Sequence, residues 1–181
     1  MKIAVISDIH DNLANLERFL KLAEELKIEG IICCGDVTTP ETLEKLVSDF
    51  SGPIKLACGN MEIRREEFAE VAERHKNLEV FAELGEWALR QGFDGELSRT
   101  AQGKIISIAF VHRPGKTEGL ALSGKYNLIF HGHTHRPWIK GGESLETVIA
   151  NPGTLGGVFT TPTFAILNTE TQGLELKKLY G

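Results

Sequence analysis

Apolar runs and amphipathic stretches alternate along the first part of the chain. Residues 2–7 (KIAVIS) form a short apolar run rich in β-branched residues, which predicts a buried strand. Asn12 then offers an N-cap, and Leu13, Leu16, Leu20 and Ala23 recur on one helical face. Gly30, after Lys27-Ile28-Glu29, marks the turn out of that helix. Residues 31–34 read as a second strand ending at Gly35-Asp36. Thr39-Pro40 has the form of an N-cap followed by proline at the first helical position, and Leu43, Leu46, Val47 and Phe50 complete that helix. Gly52-Pro53 breaks it. Residues 54–58 are a third strand ending at Gly59-Asn60, and residues 62–75 are a highly charged surface helix.

This β-α-β-α-β-α order predicts an α/β chain with right-handed crossovers and a largely parallel sheet. After about residue 78 helical signals become sparse. Strands are expected over 105–111, 127–130, 147–150 and 163–167, and 173–179 completes a terminal hairpin across the polar turn 168–172. The second half is thus expected as a mostly β layer packed on the first. Residues 87–89 are a candidate strand, and residues 91–102, polar and glycine-containing, a candidate excursion near the site. No internal repeat, low-complexity segment or linker interrupts the chain, so one domain over residues 1–181 is the expectation.

The strand ends carry the chemistry. The first ends in Asp8-Ile9-His10, the second in Gly35-Asp36, the third in Gly59-Asn60, a later one in His112, and another in Gly132-His133-Thr134-His135. Open α/β sheets bind ligands beyond the carboxyl ends of their strands. These ends would therefore gather Asp8, His10, Asp36, Asn60, His112, His133 and His135 at one edge. Carboxylates, imidazoles and an amide oxygen suit Mn²⁺, Fe or Zn²⁺. Seven such groups exceed one tetrahedral ion and suit a pair of ions about 3.5–4 Å apart. Alternate spacing in Asp8/His10 and in His133/His135 would point both members of a pair the same way in extended chain. Each piece alone has a commonplace reading: Asp8 and Asp11 can cap a helix, G-D and G-N can be turns, His112 a surface histidine, H-x-H a structural zinc site. Their conjunction at strand ends is what points to a metal site.

Composition changes this picture little. Net charge is −5 and pI about 5.7, which argues against a broad nucleic-acid surface. Bound cations can still make a local pocket positive. Cys33, Cys34 and Cys58 lack C-x-x-C spacing and read as buried thiols in a reducing compartment. No apolar run approaches the roughly 18 residues of a membrane span, and the start of the chain does not read as a signal peptide. A cytoplasmic location is the expectation.

The set D-x-H, G-D, G-N-x-[DE], H and G-H-x-H resembles the calcineurin-like metallophosphoesterases, and among them the small bacterial and archaeal phosphodiesterases. Here it reads SDIHDN (residues 7–12), GDV (35–37), GNME (59–62), VHR (111–113), GHTH (132–135) and NPGT (151–154). The resemblance implies a four-layer α-β-β-α sandwich with two mixed sheets and a dinuclear centre. It places Asp8, His10 and His135 on one metal and Asn60, His112 and His133 on the other, with Asp36 bridging. Two divalent ions, Mn²⁺ first and Ni²⁺, Fe²⁺ or Zn²⁺ as alternatives, would serve hydrolysis of phosphodiesters or phosphomonoesters.

Three positions depart from the family pattern. Arg113 stands where a glycine often follows the lone histidine, and is either a phosphate clamp or a surface arginine. Glu62 stands where Asp or His is common; it could protonate a leaving group, orient a ligand, or serve only as a carboxylate at a helix N-terminus. The Pro-Arg pair that many relatives carry after Asn151-Pro152-Gly153 is missing. Asn12 is a further candidate phosphate contact, with helix capping as its alternative, and His131 a structural group behind the ligands.

The expected mechanism is in-line attack by a hydroxide bridging the two ions, with Asp36 and His112 in the catalytic centre and Arg113 neutralising phosphoryl oxygens. A small phosphate ester or nucleotide-like substrate fits, without membrane or extended nucleic acid; a homodimer is the prior for any assembly. The rivals are a non-catalytic scaffold of the same fold, a nuclease, and a lactamase-like hydrolase, whose H-x-H-x-D-H run this chain lacks.

Overall fold

The computed structural model describes residues 1–90, 105–141, 147–171 and 173–180. The expected excursion at 91–102 lies outside the described residues. The elements run β1 (Lys2–Ile6), α1 (Leu13–Glu25), β2 (Gly30–Cys33), α2 (Pro40–Asp49), β3 (Ile54–Ala57), α3 (Arg65–Arg74), β4 (Leu78–Phe81) and β5 (Leu84–Arg90). There follow β6 (Ile105–Val111), α4 (Thr117–Leu122), β7 (Leu128–His131), β8 (Trp138–Lys140), β9 (Val148–Asn151), β10 (Thr163–Asn168) and β11 (Gly173–Lys178).

Two mixed sheets carry the architecture, ordered β11-β10-β1-β2-β3-β4 and β5-β6-β7-β9-β8. In the first, β1, β2 and β3 are parallel, as the alternation of strands and helices predicts, β4 extends the parallel run, and β10 joins β1 antiparallel. Successive side chains of β1 serve opposite faces. Ala4 and Ile6 pack against the helical layer with Leu16, Phe19, Leu43, Leu46 and Phe68. Ile3 and Val5 pack between the sheets with Ile108, Phe110 and Phe130 of the second sheet. Burial on both faces explains why β1 reads as a continuous apolar run instead of an alternating one.

The caps agree with the sequence. Asn12 accepts a hydrogen bond from the Asn15 amide, and Thr39 caps α2 with Pro40 at its start. Leu13, expected on the inner face of α1, is instead exposed, and Phe19 occupies that face. His75, expected in solvent, ends α3 with Nε2 2.6 Å from Glu44 Oε1 on α2.

Most of the second half forms the expected β layer, the sheet β5-β6-β7-β9-β8 packed on the first. The terminal hairpin instead joins the first sheet, because β10 is buried along nearly its whole length and sits between β1 and β11. β4, β8 and α4 were not apparent in the sequence: each is short, and two of them are sheet-edge strands. The candidate strand at 87–89 is the middle of β5. Cys33 lies within β2, Cys34 and Cys58 just beyond β2 and β3, and all three are buried and unpaired. Among the described residues no helix is long and apolar enough to cross a membrane.

Candidate metal centre

Two side-chain clusters meet beyond the carboxyl ends of β1, β2, β3, β6 and β7. Asp8, His10 and His135 offer ligand atoms that all lie within 4.8 Å of one another, and Asp36, His112 and His133 do the same. Asp36 Oδ2 is 3.3 Å from His112 Nε2 and 3.9 Å from His10 Nε2, so its carboxylate stands between the clusters. Asn60 Oδ1 lies 3.0 Å from His112 Nε2, which is itself 3.1 Å from His133 Nδ1. Residues from five segments of the chain are thereby brought to one rim.

The backbone reaches this arrangement differently from the sequence expectation. Asp8, His10, Asp36, His133 and His135 all have positive φ, between 47° and 69°. Non-glycine residues rarely adopt that region, and clusters of them mark sites where the surrounding structure holds the chain. The alternate spacing of Asp8/His10 and His133/His135 therefore acts through left-handed turns and not through extended chain. The His133/His135 pair also divides, one ring to each cluster.

Several groups fix these turns from behind. Glu62, 1% exposed, accepts hydrogen bonds from the backbone amides of Asp36 (3.1 Å), Val37 (2.5 Å), Thr38 (3.2 Å) and Gly59 (2.5 Å). One carboxylate thus ties the G-D loop to the G-N loop. Asn151 donates to Gly132 O and Thr134 Oγ1, each at 2.9 Å, and supports the G-H-T-H loop. Thr154 Oγ1 donates to Asp8 O at 2.8 Å. The rings are oriented too: His112 Nδ1 lies 2.8 Å from Cys34 O, and His135 Nδ1 lies 3.0 Å from Val158 O. An Nδ1–H donated to a carbonyl leaves the Nε2 lone pair facing the cluster. Gly35, at φ +91°, admits no side chain, since a Cβ there would stand 2.7 Å from Gly59 N and 2.9 Å from His112 Nδ1.

These residues fit divalent cations. Asp8 Oδ1 is buried without a hydrogen-bond partner, 3.1 Å from His135 Nε2 and 3.7 Å from His10 Nε2. His10 Nε2 and His135 Nε2 face each other at 3.2 Å. Donor atoms around an ion with bonds of about 2.1 Å lie roughly 3–3.4 Å apart, close to these separations. A buried acceptor with no partner is costly unless something else satisfies it.

The calcineurin-like phosphoesterase superfamily domain matches residues 1–172. The chain belongs to that superfamily. Its sequence is 27% identical over 171 residues to phosphodiesterase MJ0936 of Methanocaldococcus jannaschii, covering 94% of each chain. Among solved structures, an archaeal phosphodiesterase superposes with a TM-score of 0.78 at 22% identity, covering 98% of this chain and 99% of that one. The phosphoesterase Yfce of E. coli gives 0.61 at 16% identity over 99% and 100%. Zn²⁺-bound Vps29 of Entamoeba histolytica gives 0.60 at 16% identity over 99% of each chain. Family membership makes this a phosphoric ester hydrolase by enzyme class, and the four α-helices and two mixed sheets among the described residues are the metallophosphoesterase fold.

Charge at the phosphoesterase rim is arranged unevenly. The Asp8 carboxylate draws the pKa of His10 up against the opposing effect of burial; at 3.7 Å this is charge attraction more than a made hydrogen bond. Burial would lower His112, but Asp36, Asp8 and the Cys34 carbonyl together raise it above its ordinary value. Burial pushes Asp36 up, yet His112, the Met61 amide and His10 together hold it below its ordinary value. His133 is lowered by burial, by His112 and by the Arg113 guanidinium. Arg113 is exposed and lines, with Asn60, His112, Arg65 and Lys116, a cleft of about 340 Å³ beside the second cluster.

Two of the expected site residues make structural contacts here. All four hydrogen bonds to Glu62 come from backbone amides, so in this structure its carboxylate holds the two loops together. Asn12 uses both ends of its amide, accepting from Asn15 N and donating to Gly156 O at 2.8 Å, contacts that cap α1 and support the Gly156 loop. His131 is buried, with Nδ1 2.9 Å from Gly132 O and a pKa lowered by burial. Asn151 and Thr154 carry supporting roles that the N-P-G-T run signalled only as a motif.

Proposed function

We propose that this phosphoesterase hydrolyses phosphodiesters of small, nucleotide-like molecules at a dinuclear centre. Asp8, His10 and His135 would hold one divalent cation, Asn60, His112 and His133 the other, and Asp36 both. The carrying observation is the convergence of the two clusters on Asp36, with Asp8 Oδ1 buried and unpartnered between two imidazoles. When bound, such cations supply Lewis-acid charge to phosphoryl oxygens and lower the pKa of water. The relative named a phosphodiesterase supports the diester over the monoester, and the mixed oxygen and nitrogen donors suit Mn²⁺.

The protein's own groups prepare the rim for an anion. Two divalent cations would outweigh the Asp8 and Asp36 carboxylates and leave a positive pocket on a chain of net charge −5. Arg113, at the mouth of the adjoining cleft, presents a planar guanidinium suited to two phosphoryl oxygens. Glu62, Asn151 and Thr154 keep the ligand loops from relaxing, so little reorganisation accompanies reaction.

The test is a panel of bis-p-nitrophenyl phosphate, p-nitrophenyl phosphate and cyclic nucleotides, assayed with Mn²⁺, Ni²⁺, Fe²⁺ and Zn²⁺. Diester turnover, strongest with Mn²⁺, is expected. Stoichiometric metal binding with no turnover of any ester would replace this reading with a scaffold of the same fold.

A further inference from the structure

Phe159 is 92% exposed and has a φ of 66°. Single exposed apolar residues are common and carry no message alone. A bulky aromatic in the left-handed region is a different matter, because glycine would sit there without strain and phenylalanine does not. The chain holds it there from both sides. Val158 O lies 3.0 Å from His135 Nδ1, and Thr160 Oγ1 donates to His135 O at 2.8 Å. The loop is anchored further back by Gly156 N to Asp8 O at 2.9 Å and Gly157 N to Thr154 Oγ1 at 3.2 Å. The residues that fix Asp8 and His135 therefore also fix Phe159.

The ring stands at the rim of the first cluster. Its centroid is 5.6 Å from that of His135, with the planes inclined by 31°. One side leans over the imidazole and the rest of the ring is open. A phenyl ring has no hydrogen-bonding atom, so what it offers a ligand is a flat apolar face. We infer that Phe159 is a stacking platform for an aromatic group of the substrate, a nucleobase in a nucleotide-type ester whose phosphate lies at the adjoining clusters. This rests on the phosphoester reading above and deepens it by naming the substrate class. Stacking of a base on an aromatic side chain tolerates any base, because every base has a π-face. Selection at Phe159 is therefore for a base over none, not for one base over another.

Binding of adenosine 5′-monophosphate and of ribose 5-phosphate to the Mn²⁺-loaded protein, measured by calorimetry, tests this without relying on turnover. The two ligands share sugar and phosphate and differ in the base. The monophosphate is expected to bind about tenfold or more tightly than ribose 5-phosphate. Phe159→Ala should remove that preference and Phe159→Trp should keep it. Equal binding of the two ligands to the unaltered protein would overturn the inference. So would an equal loss for both in Phe159→Ala, which would mean that the ring only supports His135. Hydrolysis of bis-p-nitrophenyl phosphate, run on the same preparation, separates the two readings. Turnover without base-dependent binding removes the stacking role alone. Base-dependent binding lost in Phe159→Ala, but with no turnover, upholds the stacking role and removes the phosphodiesterase reading.

Discussion

His10 and His135 lie 125 positions apart in the chain, yet their Nε2 atoms face each other at 3.2 Å, with Asp8 Oδ1 3.1 Å from the second of them. Neither nitrogen can satisfy the buried oxygen and the other nitrogen together, and a cation among the three would satisfy all.

Stripping with a chelator and adding back Mn²⁺ at about 100 times its dissociation constant should therefore stabilise the fold by about 2.7 kcal/mol. For a chain of this size that is a rise in Tm of about 5–10 °C. Differential scanning calorimetry reads it directly. An unchanged Tm with Mn²⁺, Ni²⁺, Fe²⁺ and Zn²⁺ alike would remove the centre.

Metal affinity should fall as pH falls. His10 and His112 have raised pKa values, so they hold protons to higher pH than free imidazole, whose ordinary value is 6.5. A proton on either ring must leave before a cation can bind. Affinity is thus weak below that value and strengthens as pH climbs past the raised ones. Calorimetric titrations of Mn²⁺ from pH 5.5 to 8 check this, and a flat dissociation constant across that range would contradict it.

Asp36→Asn keeps an oxygen to accept from Met61 N, a bond of 2.9 Å in this structure, so the fold should survive. The substitution removes the charge shared by the two clusters. Loss of supporting groups around a metal costs about 10–100-fold, and a shared ligand should cost at least the upper figure in turnover. Near-normal turnover in the variant would remove the bridging role.

Glu62→Gln replaces an acceptor-only carboxylate with an amide whose NH₂ would confront backbone N–H groups. A loss of about 2 kcal/mol in stability and a roughly tenfold or greater loss in Mn²⁺ affinity are expected. Unchanged Tm together with selective loss of esters having poor leaving groups would restore the proton-donor role.

Phe159→Gly should not lower the Tm, and should add up to about 1 kcal/mol of stability, because relief of left-handed strain outweighs a contact that leaves the ring 92% exposed. A Tm drop of several degrees would show that the ring contributes packing.

The sequence was most legible where one element serves one purpose. The caps at Asn12 and Thr39, the inner face of α2, and the strand ends that deliver seven donors all follow from local patterns. What stayed hidden depends on partners distant in the chain. β10 reads like any apolar strand, and nothing local says that it pairs with β1 across more than 160 residues. The left-handed turns at Asp8, His10, Asp36, His133 and His135 are imposed by bonds from Glu62, Asn151 and Thr154, not by a glycine at the turning residue. Glu62 showed the right residue type for acid chemistry, and only its four amide partners reveal the other use.

The placement of β10 against β1 has a consequence for biosynthesis. All seven candidate ligands are translated by residue 135, but the groups that grip the Asp8 carbonyl come from residues 154 and 156. The strand that pairs with β1 on the side away from β2 follows only at Thr163–Asn168. A growing polypeptide thus acquires its donors well before the fasteners that set their angles, so competence to capture cations should arrive late and all at once.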